Sequence, residues 1–392
     1  MTGRSLRLLG ALAVLTGAGA VPLSPAPEAG ADPGCRPPPV RSEPAVPWAQ
    51  QLLAPERTWS TTRGDGITVA VVDSGVDATS PQLAGAVLPG VDISAPGAGP
   101  ADTDCLGHGT FVAGIIAARP AAGTGFSGVA PGAAILPIRD TNTDDHGAPA
   151  TMARGIRAAA DAHAGVINVS ASTNSDDPEL RAAVVHAQRH DSLVVAAAAN
   201  NAERGNPTPY PASYPGVLAV GAVDHTGATA AFSQTGGFLG LVAPGVDVIG
   251  PGPGGPGQWQ QSGTSFATPF VSGAAALVRS YRPELSAAEV GHRLEATATR
   301  PSVPVPDAAV GWGTVNPYAA VTAVLGERGA GRVVAPAPRP RPDHAAAARV
   351  VVLCATTTGA LVCLAVIAAA ISPRGKRRGR RRRITVVDSE NP

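Results

Sequence analysis

Val69-Ala70-Val71-Val72-Asp73-Ser74-Gly75-Val76-Asp77 is the stretch on which the fold turns. Its short apolar, β-branched run has no polar alternation, as expected of a strand buried on both faces. It ends on a carboxylate and then on a glycine turn, at the sheet boundary where open α/β folds place their sites. A strand followed by Asp also occurs in nucleotide and metal sites, so this stretch alone does not name a chemistry. Working outward, Ala134–Ile138, Val166–Val169, Leu193–Ala198 and Val217–Val223 are equally brief and bounded by turn residues, as is the full first run, Ile67–Val72. Between them Thr110–Ala118, Ala150–Ala162 and Pro178–Ala187 have helical length and spacing, and Thr264–Tyr281 and Ser286–Thr297 add two later helices. Buried strands alternating with helices predict an α/β domain whose mostly parallel sheet is covered on both faces.

Two further segments set a reactive residue among glycines. In Gly107-His108-Gly109-Thr110-Phe111-Val112-Ala113-Gly114 the chain turns into a helix whose first turn carries the imidazole, and small residues allow close packing on the sheet. Zinc is the rival use of this histidine, but partner ligands at suitable spacing are missing: His163, His186 and His190 lie on separate Ala-rich helical stretches. In Ser262-Gly263-Thr264-Ser265-Phe266-Ala267-Thr268-Pro269 a serine falls in the first turn of a helix, where backbone N–H groups have no internal partner. Pro269 is tolerated only near a helix start, which keeps Ser265 close to that end.

Asp73, His108 and Ser265 follow one of the known chain orders of a serine-nucleophile triad. The three segments are similar to the signature stretches of the subtilisin-like (S8) serine peptidases, over roughly Gly64 to Ala320. That resemblance implies a three-layer domain with Ser265 as nucleophile, His108 as general base and acid, and Asp73 orienting the imidazole. It also implies that Asn200, ending Val194-Val195-Ala196-Ala197-Ala198-Ala199, supplies an oxyanion-hole donor. The family usually has Gly before this asparagine, where this chain has Ala199; a position demanding a glycine-only conformation would displace the amide. Ile167-Asn168-Val169-Ser170 resembles the edge strand along which such enzymes align substrate, which makes Ser170 a substrate-binding candidate. No cofactor and no metal are expected, and Asp102 and Asp104 read as solvated carboxylates rather than a calcium loop.

The chain's ends carry a second message. Arg4 and Arg7 precede the apolar run Leu8–Leu15, and Ala29-Gly30-Ala31 fits a processing site, so 1–31 reads as a signal peptide. Residues 350–372 are free of charge and long enough to span a bilayer. Eight of the 30 basic residues follow between Arg374 and Arg383, marking a cytoplasmic flank. The expected organisation is therefore signal peptide 1–31, Pro-rich extension 32–62, catalytic domain 63–327, Pro-rich linker 328–349, transmembrane helix 350–372 and basic tail 373–392. This makes a single-pass protein of the cell membrane, with its domain outside and its C-terminus in the cytoplasm. The prolines up to Pro47 predict an extended arm over 32–50. Without its tail the body is mildly acidic, which argues against a nucleic-acid partner. Cys35 and Cys105 are the only cysteines in the exported part, so a bridge between them is the single intramolecular option.

This layout, with Asp104-Cys105-Leu106-Gly107-His108-Gly109-Thr110, resembles the mycosins, membrane-anchored subtilases of actinobacterial type VII secretion. The resemblance implies protein or peptide substrates and membrane-embedded secretion-system partners. It leaves two roles open: a processing peptidase, or mainly a structural component of the secretion complex with dispensable proteolysis. It also implies that the N-terminal extension wraps the domain and stays attached.

Overall fold

Short apolar runs become the strands of a seven-stranded sheet with order β2-β3-β1-β4-β5-β6-β7, all neighbours parallel. They are β1 (Thr68–Asp73), β2 (Val91–Asp92), β3 (Ala134–Arg139), β4 (Val166–Val169), β5 (Leu193–Ala197), β6 (Leu218–Val223) and β7 (Leu239–Pro244). A separate antiparallel hairpin joins β8 (Val248–Pro251) to β9 (Gln258–Gln261). The computed structural model describes residues 35–97, 99–141 and 148–325, within one unit that ends at Leu325.

Alternate residues of each strand face different layers, which gives two cores. Val69, Val71 and Val195 meet residues of α2 (His108–Ala117) and α5 (Thr264–Tyr281), including Ile115, Phe270 and Leu277. Ala70, Val72, Val194 and Ala196 meet α3 (Pro149–Asp161) and α4 (Pro178–Arg189) through Ile156 and Leu180. The result is the expected three-layer α/β domain. Local chemistry sets the helix starts. Asp177 accepts from Glu179 and Leu180 N–H ahead of Pro178, and Ser286 with Glu289 forms a capping box on α6 (Ala287–Ala296).

Four strands and two helices had no counterpart in the sequence reading. β7 contains Gly240 and ends on Pro244, and β8 and β9 sit among Pro, Gly and Gln, all of which read as loop. β2 is only two residues long. The arm is extended only as far as Pro47, because α1 (Trp48–Leu53) begins where an extended chain was expected through residue 50. A last short helix, α7 (Pro317–Thr322), starts on a proline capped by Asn316.

The arm lies on the body. A Cys35–Cys105 disulfide, with Cα atoms 4.5 Å apart, anchors its start. Arg36 N–H donates to the Cys105 carbonyl (3.0 Å) and Gln258 N–H to that of Arg41 (2.7 Å). Gly125 N–H (2.9 Å) and the Thr124 hydroxyl (3.0 Å) both donate to the Glu43 carbonyl. The expected signal peptide, the linker 328–349, the membrane span 350–372 and the basic tail lie outside the described residues. Among the described residues no helix is long and apolar enough to cross a membrane.

Candidate active site

All the candidate residues stand at the C-terminal ends of the strands or at helix starts facing them. β1 delivers Asp73, and the first turn of α2 delivers His108. They meet because α2 passes unusually close to the loop after β1: a Cβ at Gly109 would lie 2.0 Å from the Gly75 carbonyl oxygen. His108 Nδ1 is then 2.7 and 2.9 Å from the two Asp73 carboxylate oxygens. Asp73 Oδ1 also accepts from Ser74 N–H at 2.8 Å. The carboxylate is almost wholly buried, while 17% of the imidazole side chain remains accessible. Burial opposes the imidazolium, but the charge and hydrogen bond of Asp73, with the charge of Asp104, outweigh it and raise the His108 pKa.

Asp104 is not solvated as expected; it is buried. It accepts from Gly107 N–H (2.8 Å), Thr110 N–H (2.8 Å), the Thr110 hydroxyl (2.7 Å) and the Ser74 hydroxyl (2.9 Å). Ser74 Oγ in turn accepts from Gly109 N–H at 3.0 Å. Together Asp104 and Ser74 satisfy backbone donors that the first turn of α2 leaves unpaired, and so fix the helix that carries His108. Burial pushes the Asp104 carboxyl up to about 6, against the hydrogen bonds from Thr110 and Gly107 and with the help of the Asp73 charge. Asp102 stays half-buried.

Ser265 is the second residue of α5. The next residue, Phe266, packs its ring against both His108 (5.0 Å between centroids) and Phe111 (4.7 Å), which locks the start of α5 to the imidazole. Asn200 Oδ1 accepts from the Thr264 N–H (2.9 Å) and hydroxyl (3.0 Å), so its amide nitrogen is turned the other way. A Cβ at Gly263 would lie 3.1 Å from Ser265 Oγ and 3.5 Å from Asn200 Nδ2, so both atoms flank one small space kept open by glycine. Ala199 takes the left-handed conformation, with φ of 71°, and the loop is held by Gln234, whose N–H donates to Ala199 O and whose Oε1 accepts from Asn201 N–H. Alanine thus adopts the conformation that glycine usually supplies, and Asn200 still faces Ser265.

Ser170 behaves differently from expectation. β4 lies between β1 and β5, so the Val166–Val169 segment is an interior strand and not an edge; only from Ser170 onward does the chain leave the sheet. The Ser170 hydroxyl donates to the Ser265 carbonyl at 3.0 Å. It is itself held by Asn168 Nδ2 (2.8 Å), and Asn168 Oδ1 accepts from the Ser272 hydroxyl (2.8 Å). Pro269 explains the arrangement. It sits four residues after Ser265 and has no N–H, so the Ser265 carbonyl lacks its helical donor and Ser170 takes that place. The sequence carried a signal for this network: Asn168 and Ser272 are fully buried polar residues inside apolar runs, and such groups require partners.

A cavity of about 580 Å³ lies between Ser74, Asp104 and Leu106 on one side and Arg36 and Pro38 of the arm on the other; Asp73, His108 and Ser265 are not among its lining residues.

Residues 64–313 match the profile of the Subtilase family (Peptidase_S8). The chain is 40% identical over 267 residues to a thermophilic serine proteinase from Bacillus sp. (strain AK1), covering 67% of this chain and 64% of that one. It is 34% identical over 389 residues to mycosin-1 from Mycobacterium tuberculosis, covering 80% of this chain and 85% of the relative. Among solved structures, a serine protease MycP1, described as an essential component of the type VII (ESX-1) secretion system, superposes with a TM-score of 0.64 at 34% identity, over 74% of this chain and 92% of that one.

Proposed function

Because the chain belongs to the Subtilase family, we propose that it is a membrane-anchored serine endopeptidase that processes substrates of a type VII secretion system. The observation that carries this reading is the constellation of His108 Nδ1 within 2.9 Å of both Asp73 oxygens, the Phe266 ring joining His108 to the start of α5, and Ser265 Oγ and Asn200 Nδ2 flanking one space. In the proposed reaction Ser265 Oγ attacks the scissile carbonyl while His108 Nε2 takes its proton. The developing oxyanion is received by Asn200 Nδ2–H and the Ser265 N–H, which has no helical partner at this end of α5. His108 then protonates the leaving amine, and water enters by the reverse path to release the acyl group. Asp73 keeps Nδ1 protonated and stabilises the imidazolium. Because the Ser170 side chain is committed to Ser265, any contact it makes with substrate runs through its backbone.

The mycosin likeness supports the secretion setting, and residues 350–372 with the basic tail support the anchor and its orientation. A scaffold role with dispensable proteolysis is the competing reading, and what favours it is the likeness to MycP1, described as an essential component of its secretion system. The test is fluorophosphonate labelling of membranes carrying the full chain or its Ser265→Ala variant. Labelling of the unaltered chain alone supports the peptidase. No labelling of folded protein shifts the reading to the scaffold.

A further inference from the structure

The sequence reading put His163, His186 and His190 on separate helical stretches, but His186 and His190 share the end of α4, and Asp161 and His163 at the end of α3 meet them away from His108. Asp161 is the last residue of α3; His186 lies in the last turn of α4, and His190 immediately follows that helix. One ligand-competent atom of each falls within 4.8 Å of the other two. His186 Nε2 is 2.6 Å from Asp161 Oδ1, and the His186 and His190 rings are 4.2 Å apart between centroids. His163 stands at the rim, its ring 6.4 Å from that of His190. The group sits near the starts of β4 and β5, at the end of the sheet opposite Asp73 and Ser265.

We propose that Asp161, His186 and His190 form a binding site for a zinc-class divalent metal ion. His186 and His190 are four residues apart, so one helical turn carries both imidazoles on the same face. His190 Nδ1 is 2.9 Å from the His186 carbonyl oxygen. A hydrogen bond there puts the proton on Nδ1 and leaves the Nε2 lone pair outward, the arrangement by which ligating histidines are usually oriented. Among the described residues no hydrogen bond engages that Nε2. Two imidazoles and a carboxylate select zinc, nickel or copper over magnesium and calcium, with water completing the shell. Tetrahedral ligands about 2.0–2.1 Å from zinc stand roughly 3.3 Å apart. The 2.6 Å Asp161–His186 contact therefore has to widen, which an exposed Asp161 side chain permits. An exposed ion pair alone explains that contact, but not a second imidazole that brings a ligand-competent atom within 4.8 Å of both partners. The metal would tie the end of α3 to the end of α4, independently of the peptidase chemistry.

The test uses the full chain carrying Ser265→Ala, purified in detergent without a polyhistidine tag. Zinc binding is measured by equilibrium dialysis and by thermal denaturation with Zn²⁺ or Ca²⁺ added alone. One zinc per chain is expected, with a rise in Tm of about 5 °C at a hundredfold excess over Kd and no rise with calcium. His190→Ala should weaken binding by about tenfold or more, and Asp161→Asn should do the same without altering either helix. Absence of zinc binding to the unaltered site, or equal affinity in both variants, overturns the proposal.

Discussion

Proline at 269 deprives the Ser265 carbonyl of its helical N–H donor, and a serine on a different element donates in its place. Ser170→Ala leaves that buried carbonyl without a partner and lets the start of α5 shift. The expected result is a roughly tenfold fall in kcat with KM little changed, since about 1.4 kcal/mol of positioning is at stake. Ser170→Thr, which keeps the hydroxyl, should recover most of it; loss of KM instead of kcat would point to direct substrate contact. Ala199 makes a converse case. A left-handed alanine costs roughly 1–2 kcal/mol, so Ala199→Gly should stabilise the fold by about 1 kcal/mol, a gain in Tm of about 2 °C. Asp140 is buried beside Asp73, with its Oδ1 unpartnered among the described residues. Burial first, and the Asp73 charge second, push its carboxyl from 3.8 up to about 7. A carboxyl raised on folding contributes stability that is full below its unfolded pKa and lost as pH rises through the folded one. Asp140→Asn should therefore leave Tm unchanged near pH 4 and raise it above pH 7. An equal shift at both pH values would reject the assignment.

At the level of elements, α2 matters most, because its first turn carries His108 and its donors are met from outside the helix. Asp104→Ala strips four donors of one acceptor group, and a cost of about 2–3 kcal/mol is expected in chemical denaturation, with loss of fluorophosphonate labelling. How far such relations can be read from the sequence depends on their range. β4 and α5 were legible to the residue because β-branched runs and a long apolar helix announce themselves. The positions of Asp73, His108 and Ser265 at the end of a strand or the start of a helix were legible because those elements are strongly patterned, while the catalytic roles proposed for them and for Asn200 came from the family resemblance. The role of Asp104 was not, although it stands only four residues before His108, because its burial follows from the Cys105 turn and the Ser74 hydroxyl packing over it. The segment before Ser170 was read as an edge for a related reason: whether a strand is an edge depends on what pairs with it, and β5 begins more than twenty residues later. β7 to β9 were missed because glycine and proline mark loops locally, whereas here they permit close contacts of the hairpin with the arm and α2.

For the molecule as a whole, the Cys35–Cys105 bridge closes a loop of 70 residues. In the chain-entropy account its removal in a Cys35→Ala/Cys105→Ala variant costs about 4 kcal/mol. The expected outcome is a Tm lower by several degrees, matched by reduction of the unaltered protein; a reductant with no effect on Tm would contradict it. The arm's partners add a matter of timing. Residues 41 and 43 hydrogen-bond to residue 258, more than two hundred positions downstream. A chain made from its N-terminus at about 5–20 residues per second needs on the order of tens of seconds between producing the arm and producing its seat. Throughout that interval the arm has nowhere to dock, so it is the first part of the described chain to be synthesised and among the last to come to rest.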